Sequence, residues 1–513
     1  MLVLAGSAET TGVTKGSFQE LDAVSFLTPH TKFAVRTSSF DFIHGAVKNA
    51  YRTCWYGRPG PTYVDLPADI IQGKTAPGFQ MPQPETMLVP NPPKASGDPA
   101  TILKAAQLLR TARAPLLVVG KGAAYARAES SIRQLVEQTQ VPFLPTPMGK
   151  GVLPDSHPLN ASSARSAALK NADVALILGA RLNWILHFGE SPKWSSKAKI
   201  IQVDICAEEI GRNAGSAELG IIGDIELVVE QLQRALGNWR YAPSGGRSFP
   251  ALLGESAKKN EAKAQKSALL QTPSNAFLTY QRVYHIIKST LNTLTPPEAG
   301  DVVYVSEGAN TMDISRSVFP LNHARQRLDA GTYATMGVGL GYIIAAHEAY
   351  NTSASSATPG DPKPKPKKIV ALEGDSAFGF SAMEIETMAR YRIPALIFVM
   401  NNSGIYHGDS ATENAWKTLQ DQTVASDTKS EDDKTKGLRS TSLLYETRYE
   451  QLGTMCGGNG YFVRNEEELE KATREGFLSD TVTVVNVIVE PGIGQKIGFA
   501  WQSNGKQEGQ TKL

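Results

Sequence analysis

The sequence predicts an α/β protein built on parallel sheets. Three observations predict it. Apolar, strand-like runs alternate with amphipathic, helix-like stretches along most of the 513 residues. Runs such as LLVVG, VALILG and KIIQVDI are apolar without alternation, as strands covered on both faces are. Several runs end in Gly, Asp or Asn, and ligands of parallel sheets bind beyond such carboxyl ends. The length is too great for one domain and predicts two to four.

Residues 2–5 read as a buried strand running into a Gly/Ser turn. They lack a basic flank and are too short for a signal peptide. Opening on a core strand predicts that part of its domain is missing. A first segment, 1–78, ends in GRPGPTYVDLPADI, with a strand over 62–65. Residues 79–99 are Pro-rich and read as an extended linker. The second segment, 100–237, holds APLLVVGKGAAYARAESSIRQLVEQ: a strand, a glycine turn and a helix. VPFLPTPMGKG, ADVALILGARLNW and AKIIQVDI add strands. Residues 238–273, with the Lys-rich GESAKKNEAKAQKSALLQ, read as a polar bridge. The third segment, 274–513, contains a Ser/Pro/Lys surface insert at 351–368 and a solvated loop at 427–437. No internal repeat suggests a solenoid.

Composition excludes some classes. A hydrophobic share of 41% and a charged share of 20% are those of a soluble globular protein. A net charge of +2 argues against a large nucleic-acid surface. No apolar run is long enough to span a membrane. Cys54, Cys206 and Cys456 are far apart and odd in number, so they read as buried small hydrophobes in a reducing compartment.

The stretch ALEGDSAFGFSAMEIETMARYRIPALIFVMNNSGIY, residues 371–406, carries the chemistry. One strand ends in Gly374, Asp375 and Ser376, the next in Asn401 and Asn402, with a crossover helix near 381–391 between them. The two tips therefore lie side by side. A carboxylate, an amide oxygen and a backbone carbonyl make a hard, oxygen-only ligand set for Mg²⁺ or Ca²⁺ beside a phosphate. Gly374 permits close backbone approach, and a helix start after Ser376 faces an anion favourably. A helix cap followed by an Asn-Asn turn is the alternative on these residues alone.

An acid after Gly and paired Asn at the next tip resembles the binding motif of thiamine-diphosphate-dependent enzymes. The resemblance implies a three-domain architecture with parallel sheets, here with the first domain incomplete. It implies that Asp375, the Asn402 side chain and the Gly404 carbonyl hold Mg²⁺. Gly374, Ser376 and Ala377 would then meet the diphosphate. RLDAGTYATMGVGLGYIIAA resembles the loop that binds the aminopyrimidine ring through backbone atoms of Ala334 and Met336, with Met336 as the apolar wedge; a plain core methionine is the alternative. YVSEGANTMDISR, GKGAAYARAE, PFLPTPMGKGVLPDSHPL and IIQVDICAEEIGRN resemble the 2-hydroxyacyl-CoA lyase family over nearly the whole chain.

That family implies cleavage of the C1–C2 bond of a 2-hydroxyacyl-CoA to formyl-CoA and a chain-shortened aldehyde, as in fatty-acid α-oxidation, with thiamine diphosphate supplying the nucleophilic carbon. Oxalyl-CoA decarboxylase is the alternative. It carries Tyr-Glu where this chain has Phe18 and Gln19, which leans the reading toward the lyase. Gln19 would bond the substrate hydroxyl or adduct oxygen, and His407 is a proton-donor candidate or a surface histidine. Lys121, Arg127, Arg181, Arg325 and Arg327 are candidates for CoA phosphates or plain surface cations. The family implies a homo-oligomer, dimer or tetramer, with active sites between subunits. Thr511, Lys512 and Leu513 resemble a peroxisomal address read by an import receptor; otherwise the location is cytoplasmic. The tail after Gly494 is expected to close over the site when CoA binds. The family's activating glutamate belongs to the first half-domain and has no match here. An impaired cofactor-binding or regulatory short form is therefore a third reading.

Overall fold

The computed structural model describes residues 1–75, 77–243, 248–352, 365–424 and 437–493. Fourteen strands make three parallel sheets among them. β1 (Leu2–Ser7), β2 (Phe33–Arg36) and β3 (Thr62–Pro67) form the first, in the order β1-β3-β2. Helix Phe40–Trp55 covers one face, and its Ala46 and Ala50 pack on Val64. β1 stands at the edge, and Leu4, Leu21 and Phe26 are exposed in this region.

β4 (Pro115–Val119), β5 (Phe143–Pro145), β6 (Val174–Leu178), β7 (Lys199–Asp204) and β8 (Gly220–Ile222) form the second sheet, in the order β5-β4-β6-β7-β8. The continuous apolar runs are buried on both faces, as their composition requires. One core packs Ile102, Leu109, Ile132, Leu135, Val228 and Leu232 from three helices against the sheet. The opposite core holds Leu169, Trp194, Phe249 and Leu253.

The last two residues come from a 21-residue helix, Phe249–Leu269. It occupies the stretch expected to be a polar bridge. Ser248 caps it by accepting the Ala251 N–H, Pro250 sits in its first turn, and its Ala, Lys and Glu residues favour a helix. The polar run looked solvated because it buries little besides its first turn.

β9 (Val302–Glu307), β10 (Arg327–Asp329), β11 (Lys368–Gly374), β12 (Leu396–Asn401), β13 (Asn459–Val463) and β14 (Thr483–Ile488) form the third sheet, in the order β10-β9-β11-β12-β14-β13. Helices Tyr280–Leu294 and Glu466–Leu478 cover one face; Gly339–His347 and Glu384–Arg390 cover the other. From β9 the chain passes to β10 on one side and to β11 on the other. The strand order thus reverses between β9 and β11, the crevice where parallel sheets hold ligands.

No helix among the described residues is long and apolar enough to cross a membrane. The three cysteines are free and half-buried rather than buried.

Candidate functional site

Gly374 pairs with Met400 in register, so Asp375 and Asn401 leave adjacent strands side by side. Asp375 is 3% exposed. Its Oδ1 accepts the Ser376 N–H at 2.8 Å and its Oδ2 accepts the Gly404 N–H at 3.3 Å. Asn402 Oδ1 accepts the same Gly404 N–H at 3.2 Å. A carboxylate oxygen and an amide oxygen therefore converge on one point. Burial pushes the Asp375 carboxyl up to about 7, against the pull of the N–H groups of Ser376, Gly404, Ser403 and Asn402. A buried carboxylate oxygen beside an amide oxygen is the hard, oxygen-only chemistry that Mg²⁺ takes, so the residues fit the group the motif implies.

Glycines make the crevice narrow. A Cβ on Gly404 would stand 2.3 Å from the His407 carbonyl oxygen, and Gly408 is as tight against the Asn402 carbonyl. Gly308, at φ +89°, lies against Gly374 across the crevice between β9 and β11. The helix expected after Ser376 is two pieces: a single turn, Asp375–Gly379, and Glu384–Arg390. An anion at this tip would therefore meet the start of a single short turn, not the dipole of a long helix.

The loop bearing Ala334 and Met336 lies beside this crevice. Ala334 is exposed at φ 50° and Met336 is half-buried. Gly337, at φ +82°, has the Phe380 Cβ 3.0 Å from where its own Cβ would be. The central domain reaches this loop: Arg181 Nη2 donates to Thr332 Oγ1 at 2.8 Å and Trp184 Nε1 to the Thr332 carbonyl at 2.8 Å.

A cavity of about 540 Å³ opens behind it, where all three sheets meet. Its walls include Arg58 from the first segment, Lys121 and Arg181 from the central one, and Asp329 and Thr332 from the third. Solvent reaches Lys121 through the cavity, while crowding by protein, Arg181 and Arg58 together lower its pKa. Arg58 is paired with Glu209 at 2.7 Å, and Asp204 and Asp224 also line the cavity, so Lys121 and Arg181 are the cations there that suit an anion.

Residues 102–232 match the thiamine pyrophosphate enzyme central domain, and 307–487 match the thiamine pyrophosphate enzyme C-terminal, TPP-binding domain. Human 2-hydroxyacyl-CoA lyase 1 is 42% identical over 98% of this chain and 81% of its own. The Saccharomyces cerevisiae 2-hydroxyacyl-CoA lyase is 40% identical over 98% and 83%. Oxalyl-CoA decarboxylase of Escherichia coli is 35% identical over 99% and 82%. The chain belongs to the 2-hydroxyacyl-CoA lyase family of thiamine pyrophosphate enzymes.

Within this lyase-family chain the sequence-predicted residues fall into two groups. Gly374, Asp375, Ser376, Ala377, Asn402 and Gly404 come together at the strand tips, with Ala334 and Met336 on the adjoining loop. Lys121 and Arg181 meet at the cavity. The remainder stand elsewhere. Arg325 crosses to the central domain, pairing with Glu129 and donating to the Ala124 carbonyl at 2.8 Å. Arg327 is 3% exposed, bonded to Ser306 at 2.7 Å and Ser315 at 2.8 Å and paired with Asp329. It does not reach the cavity, because β10 turns it into the protein. Arg127 is exposed at φ 57° and is not part of the cavity wall.

His407 is held by Arg439, whose Nη1 lies 2.9 Å from Nε2 and whose Nη2 lies 2.9 Å from Nδ1. An imidazole has at most one acceptor nitrogen: with Nε2 accepting from Arg439, Nδ1 carries the hydrogen and has the Gly408 carbonyl at 3.1 Å, so both ring nitrogens are already engaged, which opposes a proton-donor role. Phe18 is 88% exposed, Gln19 is exposed at φ 57°, and neither lines the cavity. Sequence reading missed Arg58, which the fold brings to the cavity over a long separation, and Glu307, whose carboxylate accepts the N–H groups of Gly337 and Gly339. The last residue of a strand entering a switch point was the available signal for Glu307. The expected tail closure and the terminal tripeptide lie outside the described residues.

Proposed function

We propose that the chain is a thiamine-diphosphate-dependent carbon–carbon lyase that cleaves a 2-hydroxyacyl-CoA to formyl-CoA and an aldehyde one carbon shorter. The convergence of Asp375 Oδ2 and Asn402 Oδ1 on one N–H carries this reading, within a chain closely similar to lyases of that name. Asp375, Asn402 and the Gly404 carbonyl would hold Mg²⁺. Ser376 and Ala377 would meet the diphosphate, Gly374 and Gly308 would let the backbone approach it, and Ala334 and Met336 would meet the pyrimidine ring. When bound, thiamine diphosphate supplies the nucleophilic carbon and the electron sink.

The protein's own work is positioning and charge. Lys121 and Arg181 would hold the phosphates of CoA, with the thioester directed past Thr332 toward the loop of Ala334 and Met336. Gln19 and Phe18 lie far out on the first segment. Their exposure, with that of Tyr333 (91%), Phe380 (69%) and Met383 (60%), supports a homo-oligomer in which one subunit's Phe18–Gln19 loop faces another's cofactor loop. Residues 511–513 support peroxisomal import, which deleting them in a fluorescent fusion would abolish.

The deciding assay measures aldehyde release from a 2-hydroxyacyl-CoA with thiamine diphosphate and Mg²⁺, beside carbon dioxide release from oxalyl-CoA. Aldehyde release is expected. A clear preference for oxalyl-CoA overturns the lyase reading, and inactivity toward both overturns the enzyme reading for this chain.

A further inference from the structure

Glu307 is the last residue of β9 and is 1% exposed. Its two oxygens have separate partners: Oε1 accepts the Gly337 N–H and Oε2 accepts the Gly339 N–H. These amides follow Met336 directly and open helix Gly339–His347. We propose that Glu307 is a positioning residue for the cofactor's aminopyrimidine ring, holding residues 334–339 in the shape that presents the backbone of Ala334 and Met336. This rests on the thiamine-diphosphate reading and gives a role to a residue that the cofactor-binding strings leave unassigned.

Three observations support it. The two N–H donors meet separate oxygens and so require two acceptor atoms, which a carboxylate has and an amide lacks. The loop needs restraint, because Ala334 at φ 50° and Gly337 at φ +82° sit in the left-handed region, which a non-glycine residue leaves readily. The floor beneath it is full. A Cβ on Gly339 would lie 2.3 and 2.7 Å from the Glu373 oxygens and 2.8 Å from Glu307 Oε2. Glu373 stands opposite Glu307 in the β9–β11 register, yet neither of its oxygens has a hydrogen-bond partner among the described residues. It fills the floor without gripping the loop, so Glu307 is the group that fixes the backbone.

The test uses the full chain with Glu307→Gln, two ligands and amide hydrogen exchange. Exchange at residues 335–342 is expected to rise about tenfold or more, with β11 and β12 unchanged. Affinity for thiamine diphosphate with Mg²⁺ is expected to fall about tenfold, while that for inorganic diphosphate with Mg²⁺ stays within about twofold. Unchanged exchange overturns the proposal, as does an equal loss of both ligands. If exchange also rises through β11 and β12, in both Glu307→Gln and Glu307→Asp, Glu307 is a general structural group and the proposal falls. A wild-type chain that binds inorganic diphosphate but not thiamine diphosphate defeats the cofactor reading instead, and the exchange result still decides whether Glu307 holds the loop.

Discussion

Asp375 shows how a single buried side chain ties stability to pH. Its folded pKa, about 7, lies above its ordinary value of 3.8. The folded state therefore binds the proton more tightly than the unfolded chain. That contribution is fully present below about pH 4 and is lost as pH rises through 7. Without divalent cation, urea midpoints should fall between pH 5 and pH 8, with Asp375 contributing about 2–3 kcal/mol. Mg²⁺ with thiamine diphosphate should reduce the fall, and Asp375→Asn should reduce it without ligand, the rest belonging to Glu373 and Glu307, whose carboxyls burial also raises. A midpoint independent of pH in the metal-free wild type contradicts the buried acid. Asp375 and Asn402 were legible because each lies in a short string whose spacing fixes its place on a strand tip. Arg58 and Glu307 were not, because their partners are brought to them only by the packed fold. Arg327 misled for the converse reason: beside a ligand loop in sequence, it turns inward to Asp329, Ser306 and Ser315.

At the scale of elements, turns and helices carry separable duties. The loop after β12 has room only for glycine at 404, since a Cβ would meet the His407 carbonyl oxygen at 2.3 Å. Gly404→Ala should weaken thiamine diphosphate binding about tenfold or more by calorimetry, while circular dichroism of the sheets is unchanged. Helix Phe249–Leu269 is anchored through its first turn. Phe249, 6% exposed in the second core of the central sheet, should cost about 3 kcal/mol of stability as Phe249→Ala, read as a lowered denaturant midpoint, with ligand affinities preserved. The parallel strands were readable because burial on both faces imposes continuous apolar runs. This helix was not, because its long solvent-facing remainder carries the composition of a linker, and only a cap and two apolar residues distinguish it.

The whole molecule joins three sheets around one cavity. Lys121→Ala with Arg181→Ala should lower affinity for CoA about tenfold or more in titrations, with binding of Mg²⁺ and inorganic diphosphate unaffected. Equal affinity in the double variant would remove these cations from the CoA site. The alternation of strands and helices made the sheets foreseeable. Their meeting at the cavity was not, because a junction between segments leaves no periodic trace.

That cavity has a thermodynamic consequence. Its walls include residues 51, 54, 55 and 57–59 of the first segment, whose β1 is an open edge with Leu4 half bare. A molecule that fills the cavity binds only when this segment is folded against the other two. By mass action it raises the free energy of peeling the segment away, by about 2.7 kcal/mol at a concentration one hundred times its dissociation constant. A coenzyme thioester seated there would thus also be a structural ligand. Its concentration would then set how long the first sheet survives a protease, and the earliest cleavage in its absence should fall there.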